Sequence, residues 1–365
     1  MNGKDLGNIN LENYSIVVMP DFFIDRIVRL HSINELFRII SEKEKLGGGS
    51  IRDLSISDVE GGNAVNIAYC LAKLGVKVIL FTVANDTGSN VLKELFSKFG
   101  DRVELRISNG KHGHTVAMEF ENALHSKVNI MLNDVGDVAN FGSSRIDDND
   151  TRKILQNADG VMVVNWGSNL KGTELIEYAF ENSPQAIHFI DPADIESRKN
   201  EFKDDLPKFS RMTNILSINE NECNSILTAL ELKSPKLSTT RKNHHYDSNA
   251  RIDHGEDICR LKESARILAN KIKINTSVHV KKGAVWSDGK TSIFAQSFEV
   301  NDPRTLTGAG DAWNSANIVS NIIGLKVEEQ LIISNAYASL YVANPYSEPP
   351  TLQETMDLLN KKNAI

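Results

Sequence analysis

The chain has 365 residues, 41% of them hydrophobic and 24% charged, which excludes a fibrous chain and wholesale disorder. A net charge of −7 speaks against a nucleic-acid partner, because such binders carry a basic face. Three dispersed cysteines (Cys70, Cys223, Cys259) give no disulfide or metal framework, and no apolar run approaches the ~18 residues of a membrane span. The expectation is a cytoplasmic protein without a membrane partner.

From the N-terminus, short β-branched runs alternate with amphipathic stretches. Residues 15–19, 77–83, 160–165, 186–190 and 213–218 read as strands buried on both faces. Helical patterns over 63–74, 87–99, 170–182 and 220–231 lie between them, so the chain predicts a parallel α/β sheet with helices on both sides. Residues 22–60 break this rhythm. An alternating run at 22–29, a charged helix at 34–45, a triple glycine and a second alternating run at 51–59 describe an excursion that leaves the core and returns, a candidate lid. Alternation over 103–132 predicts strands with one wet face, in a small second sheet or at the edge of the main one. The polar stretch 233–257 reads as an insertion loop. Two helical patterns, 309–323 and 327–343, close the chain, which is read as a single domain over 1–365.

Three motifs carry chemistry. Thr307-Gly-Ala-Gly-Asp311 opens the 309–323 helix, where free N–H groups and the positive dipole end make an anion site. An aspartate inside such a site suits a base that takes a proton from an attacking hydroxyl while the N–H groups hold a phosphoryl group. Glu60-Gly-Gly-Asn-Ala-Val-Asn66 precedes the 63–74 helix, whose first turn projects Asn63 and Asn66. Asn219-Glu-Asn-Glu222 follows a strand; it reads as a capping box, or as a pair that holds Mg²⁺ through water.

In order and spacing the three motifs resemble the ribokinase-like, PfkB-type family of sugar and nucleoside kinases. Residues 61–75 follow its Gly-Gly-x-x-x-Asn-x-Ala-x-x-Leu-Ala-x-Leu-Gly signature. The resemblance implies a central mostly parallel sheet with a small β lid, ATP with Mg²⁺, and a small sugar-like or nucleoside acceptor. It implies Asp311 as general base and Gly308, Ala309 and Gly310 as anion hole. Asp25, Gly62, Asn63 and Asn66 would meet the acceptor; Asn219, Glu222, Gly283 and Asn335 would meet the nucleotide. A homodimer through the lid is left open.

Three departures qualify it. Thr305 stands where the family usually has an aspartate tied to a monovalent-cation site, so little dependence on K⁺ is expected. Lys281 replaces a usual threonine, and a sugar-binding glutamate is missing near Asn165-Trp-Gly167, which disfavours ribose. The loop Ile190-Asp-Pro-Ala-Asp194 with Arg198 faces the acceptor or caps the next helix.

Overall fold

The computed structural model describes residues 9–121, 127–233, 254–300, 303–304, 307–346 and 348–363. In chain order, β1 (Ser15–Met19) leads to β2 (Phe23–Arg29), α1 (Ile33–Lys45), β3 (Ser55–Gly61), α2 (Asn63–Leu74), β4 (Lys77–Ala84), α3 (Asp86–Phe96), β5 (Val103–Asn109), β6 (Gly113–Glu121) and β7 (Lys127–Asp134). There follow α4 (Asn149–Asn157), β8 (Gly160–Val164), α5 (Gly172–Glu181), β9 (Ile187–Asp191), α6 (Lys199–Phe209), β10 (Ile215–Asn219) and α7 (Glu220–Ala229). The last third holds α8 (His254–Ile272), β11 (Asn275–Val280), β12 (Gly283–Ser287), β13 (Ser292–Gln296), α9 (Ala309–Ile322), α10 (Val327–Ala343) and α11 (Leu352–Asn363).

Nine strands form the main sheet in the order β13-β12-β11-β10-β9-β8-β1-β4-β5. Seven run parallel, from β11 to β5; the β11–β12 and β12–β13 pairs are antiparallel. The sheet is doubly covered, as its β-branched strands require. One apolar cluster joins it to α5–α8 around Phe180, Phe202 and Phe209, and another to α2, α3, α9 and α10 around Ile67, Leu71 and Tyr337.

The second sheet has four strands in the order β3-β2-β6-β7. Residues 22–60 supply two of them, as the alternation predicts. The stretch 103–132 divides: β5 pairs with β4 at the edge of the main sheet, whereas β6 and β7 join the small sheet. Helix α1 buries no residue at all, and Phe37 and Ile40 stand exposed on it.

One expectation needs correction. The polar stretch 233–257 does not stay a loop to its end, because α8 begins at His254. The apolar residues that dock α8, Leu261, Ala265, Leu268 and Ile272, all lie further on, so its polar first turn is indistinguishable from a loop by composition. Residues 234–253 lie outside the described residues, as does Thr305. The antiparallel hairpin β12–β13 and the helices α4, α6 and α11 are not among the elements expected from the sequence.

Candidate active site

All the motif residues except Asp25 and Asn335 gather at or near the carboxyl edge of the parallel strands, where open α/β sheets bind ligands. Two residues past the end of β1 lies the buried Asp21. Its carboxylate accepts the N–H groups of Asn63 at 2.8 Å and Ala64 at 3.0 Å, and the Asn165 side-chain amide at 3.0 Å. Asp21 thus caps α2 from another part of the chain, a role usually played by the residue just before a helix. That residue here is Gly62, with φ of 99°; a Cβ on it would stand 2.9 Å from the Asp21 carbonyl oxygen. Only glycine lets β1 and α2 approach so closely.

Asn63 and Asn66, three apart on the first turn of α2, share a face. Both amides reach Asp311: Asn63 Nδ2 donates to Oδ1 at 3.1 Å and Asn66 Nδ2 to Oδ2 at 2.8 Å. Asp311 sits in the first turn of α9 and is buried. Burial pushes its carboxyl well above the usual range; the Asn66 hydrogen bond opposes this, while the nearby charges of Asp191 and Asp21 add to it. Before it, Gly308 takes the left-handed conformation, φ 81°, and a Cβ there would meet the Tyr341 hydroxyl at 2.5 Å. That hydroxyl donates to the Thr307 carbonyl at 3.1 Å and steadies the turn. The N–H groups of the helix's first turn have no carbonyl four residues back to bind.

Asp25 lies on β2, in the small sheet, partly buried beside Thr115 of β6. Burial raises its carboxyl, the Thr115 hydrogen bond lowers it and the charge of Asp21 raises it. The Asp25 carboxylate closes against Gly61, next to the α2 turn.

Asn219 and Glu222 form the capping box. Asn219 Oδ1 accepts the N–H groups of Asn221 and Glu222, and Glu222 Oε2 accepts the Asn219 N–H at 2.8 Å. They also line a cavity of about 430 Å³ with Asp194, Glu196 and Asn221. Burial, reinforced by the like charges of Asp191 and Asp194, pushes the Glu222 carboxyl up to about 8. Asp191, at the end of β9, accepts Asn314 Nδ2 at 2.6 Å, and Asn314 Oδ1 accepts the Ser217 hydroxyl at 2.6 Å. This chain ties α9 to β9 and β10.

Two candidates have local structural work to do. Gly283 follows the Lys281–Lys282 turn and opens β12 opposite Gln296, with its free side occupied by the Ala295 carbonyl of its own hairpin. Asn335 uses its whole amide internally: Oδ1 accepts Trp313 Nε1 at 2.9 Å, and Nδ2 donates to the carbonyls of Ala295 at 2.9 Å and Gln296 at 3.3 Å. Instead of projecting toward a ligand, its side chain joins α10 to α9 and β13. Arg198 is likewise turned inward, 4.1 Å from the Trp166 ring and hydrogen-bonded to the carbonyls of Trp166 and Asn169. Asp21 and Asn314 lie outside the residues singled out in the sequence, whereas Asp191 belongs to the loop Ile190–Asp194 named there; an acidic residue just past a buried strand is the one signal available for Asp21.

A parallel sheet with a buried carboxylate at a glycine-opened helix start, and a small sheet rooted beside it, defines a kinase fold of the ribokinase class. The sequence confirms it: the model for the pfkB family of carbohydrate kinases matches residues 29–354, and the chain belongs to that family. Among solved structures, the fold is similar to ribokinase from Cryptococcus neoformans in complex with ADP, at 17% identity and a TM-score of 0.69 over 94% of this chain and 99% of that one. It is similar to adenosine kinase from Sinorhizobium meliloti, at 14% identity and TM-score 0.68 over 96% and 99%. Arabidopsis thaliana ribokinase with ribose and ATP aligns at 18% identity and TM-score 0.67 over 95% and 98%. No curated protein matches by sequence.

Proposed function

We propose that the protein transfers the γ-phosphoryl group of ATP to a hydroxyl of a small sugar or sugar-like acceptor, with Asp311 as general base. The observation that carries this reading is the Asp311 carboxylate, buried at the start of α9 and gripped by two asparagine amides. The grip fixes its direction; the raised proton affinity makes it a better acceptor than an exposed aspartate. As the acceptor oxygen attacks phosphorus, its proton passes to Asp311, and the backbone at Gly308, Ala309 and Gly310 holds the charge on the phosphoryl oxygens.

The chain is read as one domain, the small sheet acting as a lid that brings Asp25 over the acceptor beside Gly62, Asn63 and Asn66. The similar structures in complex with ADP, and with ribose and ATP, support a nucleotide and a small hydroxylated partner. The cavity at Asn219 and Glu222 suits the polyphosphate end of the nucleotide. Mg²⁺, when bound, supplies charge neutralisation there. The residues fit it only through water, since the oxygens of Asn219 and Glu222 are engaged in the capping box, and no group of three or more acidic, His or Cys side chains able to hold a metal occurs among the described residues. Gly283 and Asn335 are assigned to framing the nucleotide side.

A nucleoside acceptor is the second reading, favoured by the fold shared with adenosine kinase. Outwardly, the lid presents Ile56, Val116, Ile130 and Leu132 on one face, which suits a second copy of the chain. Among the described residues no helix is long and apolar enough to cross a membrane, and a cytoplasmic setting is part of the proposal. The deciding experiment measures ADP release with a panel of sugars, sugar acids and nucleosides. Acceptor-dependent turnover identifies the substrate; no turnover with any member, despite nucleotide binding, would favour a silent ligand-binding homologue.

A further inference from the structure

One ring nitrogen beside the Gly-Ala-Gly-Asp turn is closed to solvent and has no role in the mechanism above. His279 lies near the end of β11, where its backbone registers directly with Asn219 of β10 on one side and Ala284 of β12 on the other. Its ring lies 5.5 Å from that of Trp313 on α9, and a Cβ placed on Gly310 would stand 3.2 Å from its Cε1 and 3.7 Å from its Nε2. The edge carrying Nε2 is therefore turned toward the first turn of α9, between the two motifs assigned to phosphates. Nε2 is shut off from solvent and has no hydrogen-bond partner. Buried polar atoms in folded proteins nearly always have one, so this nitrogen is left for a water or a ligand atom, and its place beside the first turn of α9 favours the ligand. Burial also pushes the imidazole down to about 4, so it is neutral at physiological pH and offers one N–H donor. The tautomer with hydrogen on Nε2 has a donor aimed at a helix start that attracts anions.

We propose that His279 completes the phosphate cradle, its Nε2–H donating to a phosphoryl oxygen of the nucleotide held between Asn219 and the first turn of α9. The assignment rests on the kinase reading and adds a side-chain donor to a site otherwise built from backbone N–H groups. A neutral imidazole suits the position, because it binds an anionic oxygen without carrying a proton that the phosphoryl group could take.

The test is calorimetric binding of ADP, at fixed ionic strength, to wild type, H279A, H279L and H279Q, each checked for an unchanged melting temperature. Gln places an amide N–H near the position of Nε2; Ala and Leu remove the donor, and Leu keeps more of the packing against Trp313. ADP should bind about tenfold or more weakly to H279A and H279L, the fold-change expected for a hydrogen bond to a charged group. H279Q should recover most of that loss. Affinity within about twofold of wild type for H279A and H279L would overturn the proposal, as would equal losses in all three variants, which would mark a packing role. Either result leaves the kinase reading standing, provided wild type binds ADP. If wild type itself binds no ADP, both the cradle and the nucleotide reading fall.

Discussion

Asp311 draws its chemistry from its surroundings more than from its identity. An aspartate on an exposed helix start would be a dipole-stabilised surface charge. Here burial and two carboxylate neighbours raise its proton affinity, while Asn63 and Asn66 keep both oxygens fixed. Asp311→Asn should leave ADP affinity nearly unchanged and lower kcat by roughly 10²–10⁴, the span for losing a positioned general base; turnover within a few-fold of wild type would remove it from the mechanism. The pH dependence has a definite sign. The proposed base works deprotonated, so the acid limb of kcat/KM should fall above the ordinary aspartate range and vanish in the variant. Stability runs the other way. With a folded-state pKa above the unfolded one, the native protein holds the extra proton, and stability falls as pH rises from the unfolded value through the raised one. Thermal melts should therefore show wild type losing ground to Asp311→Asn as pH rises through that window, with no such trend below it.

At the scale of elements, helix starts carry the site and tertiary contacts set them. Helix α9 begins where Gly308 can adopt φ of 81° under the Tyr341 hydroxyl. Gly308→Ala should lower stability by about 1–2 kcal/mol through backbone strain alone, more if Tyr341 cannot yield. Steady-state kinetics should show a larger proportional loss in kcat than in ADP affinity, because the turn orients Asp311. Asn335 makes the opposite case. Its amide holds Trp313 Nε1 and two carbonyls of the β13 segment, so Asn335→Ala would leave one buried donor and two partly buried carbonyls short of partners. Denaturant titration should show a loss of about 2–4 kcal/mol. An unchanged stability together with a large drop in ADP affinity would instead make it a direct nucleotide contact.

Over the whole molecule, the two sheets divide the labour. The nine-stranded sheet is covered on both faces, whereas the four-stranded one leaves an apolar face uncovered: Ile56 and Leu132 are each 56% exposed and share it with Val116 and Ile130. Exposed apolar patches of this sort mark association surfaces. The proposed lid-to-lid association predicts that Ile130→Glu with Leu132→Glu converts dimers to monomers in sedimentation velocity and leaves the melting of the nine-stranded core near its original temperature. A wild-type protein that sediments as a monomer at every concentration would sink the association.

Much of this was legible from local pattern. Buried parallel strands announce themselves as β-branched runs, and α2, α9 and α10 were placed to within a residue or so because one helix face and its glycine punctuation are local properties. The Gly-Ala-Gly-Asp and Gly-Gly-x-x-x-Asn motifs were readable for the same reason. Partnership was not. That Asn63 and Asn66 hold Asp311, some 245 residues away, depends on β1 and α9 arriving at the same sheet edge. Asp21 as a remote cap, Asn335 as an internal tie and His279 as an orphan beside Gly310 all follow from which strand lies next to which. Local sequence carried most of the elements and the chemistry each could offer, because backbone preference and hydrophobic period act over a few residues. Only the tertiary structure decided which groups meet, lose their water and change their proton affinity, because burial is a property of the assembled edge.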